Sequence, residues 1–296
     1  MKRLLLLPLV TLLTQCSPNP SADPERNQSV ALMRNLPGSI QHIINVSAYD
    51  PKERQRSGSS YSEHDVSALK RNGARGLIAR AGKGGNLDEK CASFIASADR
   101  VGILAGVYYR VQKHVSPESQ ADQFSARIKW LAGRRPAGVE PLLVCGDYDG
   151  DLTLSQITRF MDRVERRTGV IPVAYLENSQ ELKLRMRSAD SKSRSKLLRA
   201  PYWVALYSHE SGAGPVFPAP GNPSGLADQY GMWSDWTMWQ YGGVAWKNRR
   251  SIPKVYSHGR YRFSTYFGDM DRPLERNIYR GSYNSLVRMW IRHGYR

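Results

Sequence analysis

From residue 40 to about 207, short apolar runs alternate with longer stretches whose apolar residues recur at helical spacing. Residues 40–47, 76–81, 103–110, 141–145, 170–175 and 202–207 are rich in Ile, Val, Leu and Ala and have the length of buried strands. Between them, residues 62–72, 87–101, 117–132 and 154–168 read as amphipathic helices, and a basic helix precedes the strand at 202. Ser116-Pro117 supplies a cap and a first-turn proline, Gly169 supplies a stop, and Asp151 stands where it would cap the helix at 152–168. The strands begin roughly every 30–35 residues, the length of one βαβ unit. Such a chain forms a parallel sheet, either open and doubly wound or closed into a barrel.

After Tyr207 the pattern changes. Residues 208–235 are Gly/Pro-rich and aromatic, helical spacing stops, and residues 237–242 and 260–266 read as hairpin-type strands. The fold class is therefore α/β: an irregular TIM-like (β/α) barrel of about five βα units followed by helix-free strands. The segment 282–292 places Leu286, Val287, Met289, Trp290 and Ile291 among arginines. It reads as a helix packed against the barrel rather than one lying on a membrane surface. Gly82-Lys83-Gly84-Gly85 follows a strand but lacks dinucleotide-binding spacing, so it is read as a loop.

The N-terminus reads as an address. Lys2 and Arg3 precede an apolar run from Leu4 to Leu13, too short to span a bilayer, and the run ends in Leu13-Thr14-Gln15-Cys16. Residues 1–16 are expected to be a signal peptide of lipoprotein type, with Cys16 as the lipidation site, although Gln15 stands where a small residue is usual. Ordinary signal-peptidase cleavage nearby and a retained anchor are the other readings. Residues 17–38 are rich in Ser, Pro and Asn and read as a flexible tether, leaving 39–296 as one barrel domain. The expected location is exported: the bacterial cell envelope, periplasmic or lipid-anchored, or the medium.

Charge narrows the partners. Lys and Arg number 43 against 26 Asp and Glu, a formal charge of +17. Residues 181–199 carry seven positive and two negative charges, and residues 244–296 carry twelve and three. No nucleic-acid recognition motif accompanies them, so acidic wall polymers, peptidoglycan carboxylates and anionic lipid headgroups are the expected attractors, beside a plain solvated basic face. Membrane contact is expected only through the N-terminal lipid. Three cysteines are too few for a disulfide scaffold; Cys91 and Cys145 either pair after export or stay as buried thiols.

In a parallel barrel, reacting groups gather at the C-terminal strand ends. Those ends carry Asn45 and Tyr49, Arg80, Tyr108 to Arg110, Asp147 and Asp149, Tyr175, and Trp203 with Tyr207; later come Trp239 and Gln240. Carboxylates ringed by aromatics suit carbohydrate: sugar rings stack on Tyr and Trp, and a carboxylic acid protonates the leaving glycosidic oxygen. Asp147 and Asp149 are two apart, so they point the same way if the strand persists, and like charges that close raise one pKa. A D-x-D pair also suits loop solvation or helix capping. No metal-ligand spacing, GxSxG elbow or phosphate loop is present, and neither a metal nor an organic cofactor is implied.

Nine segments in order resemble the glycoside hydrolase family 25 lysozymes, irregular-barrel muramidases. They are INVSAYDP (44–51), GARGLIARAGKGG (73–85), ASADRVGILAGVYYRV (96–111), SQADQF (119–124), PLLVCGDYDG (141–150), RRTGVIPVAYLEN (166–178), PYWVALY (201–207), WTMWQYGG (236–243) and ERNIYRGS (275–282). The resemblance implies N-acetylmuramidase activity on peptidoglycan glycan strands. It also implies a catalytic set of Asp149 as general acid, Asp147 as its partner, Glu275 as a further negative charge, and Asn45 as a hydrogen-bonder to substrate or water. Tyr49, Arg80, Tyr108, Tyr175, Trp203, Tyr207 and Gln240 are then expected to bind substrate. The chain departs from the family at three positions. Asn45 replaces the aspartate of D-V-S, Asp149 the glutamate of D-x-E, and Glu275 the aspartate of D-x-N-x-F-x-G. Asp reaches about 1.5 Å less than Glu, and a misplacement of about 1 Å can cost on the order of a hundredfold in rate. A weakened or inactive relative that only binds wall glycan is the alternative.

Overall fold

The computed structural model describes residues 40–50, 62–211, 230–243, 255–258, 261–268, 270 and 273–296. The expected signal peptide, Cys16 and the tether lie outside these residues. Strand β1 (Ile40–Val46) pairs in parallel with β2 (Ala74–Lys83), which continues to β4 (Leu104–Val111), β5 (Leu142–Tyr148), β6 (Val173–Leu176), β7 (Tyr202–Ala205) and β8 (Met238–Gly242). The strand β11 (Glu275–Arg280) lies antiparallel to both β8 and β1 and closes the sheet into an eight-strand barrel. The short β3 (Asn86–Leu87) folds back on β2, β9 (Val255–His258) and β10 (Tyr261–Ser264) form a separate hairpin, and β12 (Gly294–Tyr295) pairs with the start of β5.

Five βα units are present. The helices are α1 (Glu63–Arg71), α2 (Cys91–Val101), α3 (Pro117–Ala132), α4 (Leu154–Thr168), and the pair α5 (Gln180–Arg187) and α6 (Ser191–Leu197). Their ends are set locally. Ser62 with Asp65, and Thr153 with Gln156, form reciprocal caps, while Gly102 and Gly169 end their helices in the left-handed region at φ 72 and 74. Thr153 therefore caps α4, not Asp151, which pairs with Lys113 at 3.1 Å.

Four further expectations are corrected. The helix at 87–101 begins only at Cys91, because residues 86–87 turn back to hydrogen-bond β2. The strand expected at 141–145 runs on to Tyr148, which makes Asp147 a strand residue. Residues 238–242 are a seventh parallel strand rather than half of a hairpin. The stretch after 207, read as losing its helices, opens with the short helix α7 (Ser208–Ser211), the helix read at 282–292 is α8 (Tyr283–Arg292), and the closing strand β11 was not among those read from periodicity.

The wall separates two apolar layers. Outside it, Phe94, Phe124, Phe160, Tyr109 and Val164 fill the space beneath the helices. Inside, Ile43, Ile78, Leu104, Leu143, Cys145, Val173, Trp203 and Met238 fill the lumen. The helix α8 plugs the lower mouth as expected. Leu286 and Trp290 enter the lumen cluster, and the Trp290 indole donates to the Ala105 carbonyl at 2.8 Å. Gly76 and Gly106 make room: a Cβ there would come within 2.9 and 3.1 Å of the Trp290 ring. Cys91 lies in the outer layer and Cys145 in the lumen, and both are free, buried thiols.

Candidate active site

Strand side chains alternate between faces, so each lumen residue is followed two positions later by another nearer the rim. Ile43 leads to Asn45, Ile78 to Arg80, Tyr108 to Arg110, Cys145 to Asp147, Val173 to Tyr175, and Met238 to Gln240. The lumen thus passes from apolar at its base to polar and ionisable at the C-terminal end of its strands. The antiparallel β11 delivers Glu275 and Asn277 to the same end, with Glu275 opposite Asn45 in register.

One side of this rim is a hydrogen-bonded network. The Tyr175 hydroxyl donates to the Gln240 carbonyl oxygen at 2.7 Å, and the Gln240 amide donates to Asn45 Oδ1 at 3.0 Å. Asn277 donates to the same oxygen at 2.8 Å and accepts from the Trp203 indole at 3.0 Å. With Asn45 Oδ1 accepting twice, its Nδ2 donates to the Glu275 carboxylate. The amide at 45 thereby serves two acceptor demands and one donor demand.

On the other side stand the aspartates. Asp149 accepts from Arg110 Nε on both oxygens at 3.0 Å, and from Gln112 Nε2 at 2.9 Å. Gln112 is itself held, because its backbone exchanges hydrogen bonds of 2.9 Å with the Gln120 amide. Asp147 is opposite Arg110 and Tyr175 in register and makes no hydrogen bond among the described residues. Burial pushes its carboxyl up to about 8; the charge of Asp149 adds to the rise, Arg110 opposes it, and Glu177 and Glu275 reinforce it. Burial disfavours the Arg110 cation, but Asp147 and Asp149 outweigh burial and hold it firmly protonated.

A third group supports the first loop. The Arg80 Nε donates to Asp88 at 3.0 Å, Asp88 accepts the Ala48 amide at 2.8 Å, and the guanidinium lies over the Tyr49 ring at 5.2 Å. Ser47 and its backbone donate to Asp50, whose carbonyl accepts from Lys90 at 2.9 Å.

The barrel thus brings Asn45, Asp147, Asp149, Glu275, Arg80, Tyr108, Tyr175 and Gln240 to one end. Trp203 is 2% exposed and belongs to the filled lumen below them, its edge against Tyr175 at a centroid distance of 4.9 Å. Tyr207 sits just beyond β7, with its ring 5.6 Å from His209. Three participants were not singled out from sequence: Gln112, Asn277 and Glu177, the last accepting the Gly150 amide at 2.6 Å. Glu177 and Gln112 each directly follow a barrel strand, which is the signal that would have found them. Among the described residues no cluster of His, Cys, Asp or Glu has the arrangement of a metal site.

Comparison with known proteins agrees with this architecture. The family model described as Glycosyl hydrolases family 25 matches residues 58–247. The bacterial lysozyme from Streptomyces coelicolor is 20% identical, with a TM-score of 0.54 over 85% of this chain and 97% of that one. A muramidase from Acremonium alcalophilum and a family GH25 lysozyme from Aspergillus fumigatus are each 16% identical, with a TM-score of 0.52 over 85% of this chain and 99% of theirs. No curated protein matches the chain.

Proposed function

The chain belongs to glycosyl hydrolase family 25, and on that premise we propose that it is an exported muramidase. Its reaction is hydrolysis of the β-1,4 bond between N-acetylmuramic acid and N-acetylglucosamine in peptidoglycan. The observation that carries this reading is the state of Asp147: a rim carboxyl without a hydrogen-bond partner among the described residues, raised to about 8. Such a group is protonated at neutral pH and open to a ligand, as a general acid must be.

This assignment moves the acid from position 149 to position 147. Asp149 accepts from Arg110 and Gln112 on both oxygens and is placed as an acceptor. In the proposed reaction the glycosidic C–O bond breaks as its oxygen takes the Asp147 proton. Glu275, held by Asn45, offers negative charge to the oxocarbenium-like centre, a role the substrate's own acetamido group can share. Water then adds to the anomeric carbon and returns a proton to Asp147. Tyr49, Tyr108, Tyr175, Tyr207, Arg80 and Gln240 line the sugar path.

Residues 1–16 fit an export signal with lipidation at Cys16, and 17–38 a tether. No helix among the described residues is long and apolar enough to cross a membrane. The basic run 181–199 spends part of its charge internally, in the pairs Lys196–Asp162 and Arg199–Glu165 and on the carbonyls that Arg185 holds, which leaves anionic wall polymers a secondary partner.

A second reading is favoured by one observation. The position that matches the family's glutamate is occupied by a carboxylate already paired with Arg110. On that basis the chain would bind glycan strands without cutting them. Purified protein on isolated peptidoglycan separates the two. New reducing ends that vanish in Asp147→Asn support the hydrolase; binding without new reducing ends above that variant leaves the glycan-binding reading.

A further inference from the structure

Arg110 is anchored by one edge and open on the other. Its Nε makes the paired contact with Asp149 at 3.0 Å, while neither Nη group makes a hydrogen bond among the described residues. The side chain is 37% exposed, against 14% for Asp149, so the open edge is the one that water reaches. The anchor is built in depth: Asp149 is held from a second side by Gln112, and Gln112 by Gln120. Arg110 is opposite Asp147 in the β4–β5 register, so its free edge lies beside the proposed acid.

An arginine held through Nε with its Nη fork free is pre-organised for a planar anion, because little side-chain entropy remains to be lost on binding. Asp149 already satisfies the Nε edge, and a fork facing neutral hydroxyls alone would gain little from carrying a charge. We propose that Arg110 is a specificity-determining residue that binds a carboxylate carried by the saccharide substrate, with Asp149 as the positioning residue that aims the fork. The inference rests on the glycan-hydrolase reading and deepens it: the substrate is an acidic sugar strand, and its carboxylate, not only its ring, is recognised.

The test uses full-length chain carrying Asp147→Asn, which leaves strands uncut, and glycan strands stripped of stem peptide, either as free acids or as methyl esters. With Arg110 present, the free-acid strands are expected to bind about tenfold more tightly, the scale of one charge-assisted fork. The Arg110→Lys variant keeps the charge and a partner for Asp149 but lacks the fork, and its preference is expected to fall to about threefold. Arg110→Gln is expected to bind the two forms within about twofold of each other. Should Arg110→Gln fail to fold, the lysine variant decides. Equal binding of acid and ester by the Arg110 chain overturns the inference while leaving the glycan reading intact, and so does a preference unchanged in both variants. Binding of neither form removes both.

Discussion

Asn45 donates its side-chain N–H to the Glu275 carboxylate across the β1–β11 pair, where the two residues stand opposite one another in register. The amide also accepts from Gln240 and Asn277, so its orientation is set by three partners at once. An aspartate at 45 would turn the donating nitrogen into a second anionic oxygen facing Glu275. Asn45→Asp is therefore expected to destabilise the fold by about 1–3 kcal/mol at pH 7, the cost of an unsatisfied buried polar contact. Thermal unfolding checks this. The loss should shrink on acidification, as one of the two carboxyls takes a proton.

With Asp147 as the proposed acid, activity is tied to pH. Its carboxyl, raised mainly by burial to about 8, carries the proton below that value and loses it above. Hydrolysis is expected to hold through neutral pH and decline as pH rises through about 8, with Asp147→Asn lowering kcat at least a hundredfold at pH 6. A profile of reducing-end release from pH 5 to 10 checks both. An unchanged rate in Asp147→Asn would move the acid elsewhere.

The same group links stability to pH in the same direction. Its folded value lies above the ordinary 3.8, so the stability it contributes is complete below about 4 and is lost as pH rises through about 8. Asp147→Asn has no such loss. Its melting temperature is expected to exceed that of the parent by a margin that widens from pH 5 to 8.5, reaching several degrees, with about 2–4 °C per kcal/mol for a domain this size. A site that costs stability in its working ionisation state is common where catalysis is the function.

His42 gives the acid limb. It is buried on the outer face of β1 against Phe267 and Tyr241, with ring centroids 5.3 and 6.2 Å away, and neither ring nitrogen has a hydrogen bond among the described residues. Burial, with Arg276 nearby, lowers it from 6.5 to about 4. A depressed histidine contributes stability that is present above about 6.5 and lost as pH falls through about 4. His42→Phe keeps the ring and removes the titration. The variant is expected to unfold at lower pH than the parent in an acid titration followed by far-UV circular dichroism.

The base of the barrel depends on one side chain. Trp290 fills the lumen beneath Gly76 and Gly106 and hydrogen-bonds Ala105. Trp290→Ala is expected to cost about 3–5 kcal/mol, by loss of buried area and creation of a cavity. Chemical denaturation measures it. The companion Gly106→Ala is expected to destabilise by about 1–3 kcal/mol, since its Cβ meets Leu143 Cβ, Trp290 and Ile78 at 3.0, 3.1 and 3.3 Å and each must give by a few tenths of an ångström.

Local chemistry in the sequence carried a great deal. The spans of α3 and α4 follow from apolar spacing and the C-terminal end of α4 from Gly169, while its N-cap, read as Asp151, is Thr153. The carboxylate and aromatic composition of the strand ends was readable too, because parallel strands place their C-terminal residues together whatever their sequence separation. The strand β11 was not readable, since ERNIYR has mixed polarity. Its asparagine, arginine and glutamate find partners on β1, on β7 and in a folded loop, all distant from them in sequence or outside the strand.

Apolar periodicity and turn residues alone determined the βα repeat and placed Asp147 and Asp149 at the end of one strand, because these depend on neighbours a few positions apart; Glu275 came from the family resemblance and closure of the barrel from the fold. Only the tertiary structure gave the two aspartates different surroundings. Asp147 and Asp149 are the same side chain two residues apart, and their difference arises from Arg110 and Gln112 on the adjacent strand and the loop after it, which occupy one and leave the other open. Protonation and hydrogen bonding are properties of surroundings, and at this site the surroundings come from distant parts of the chain.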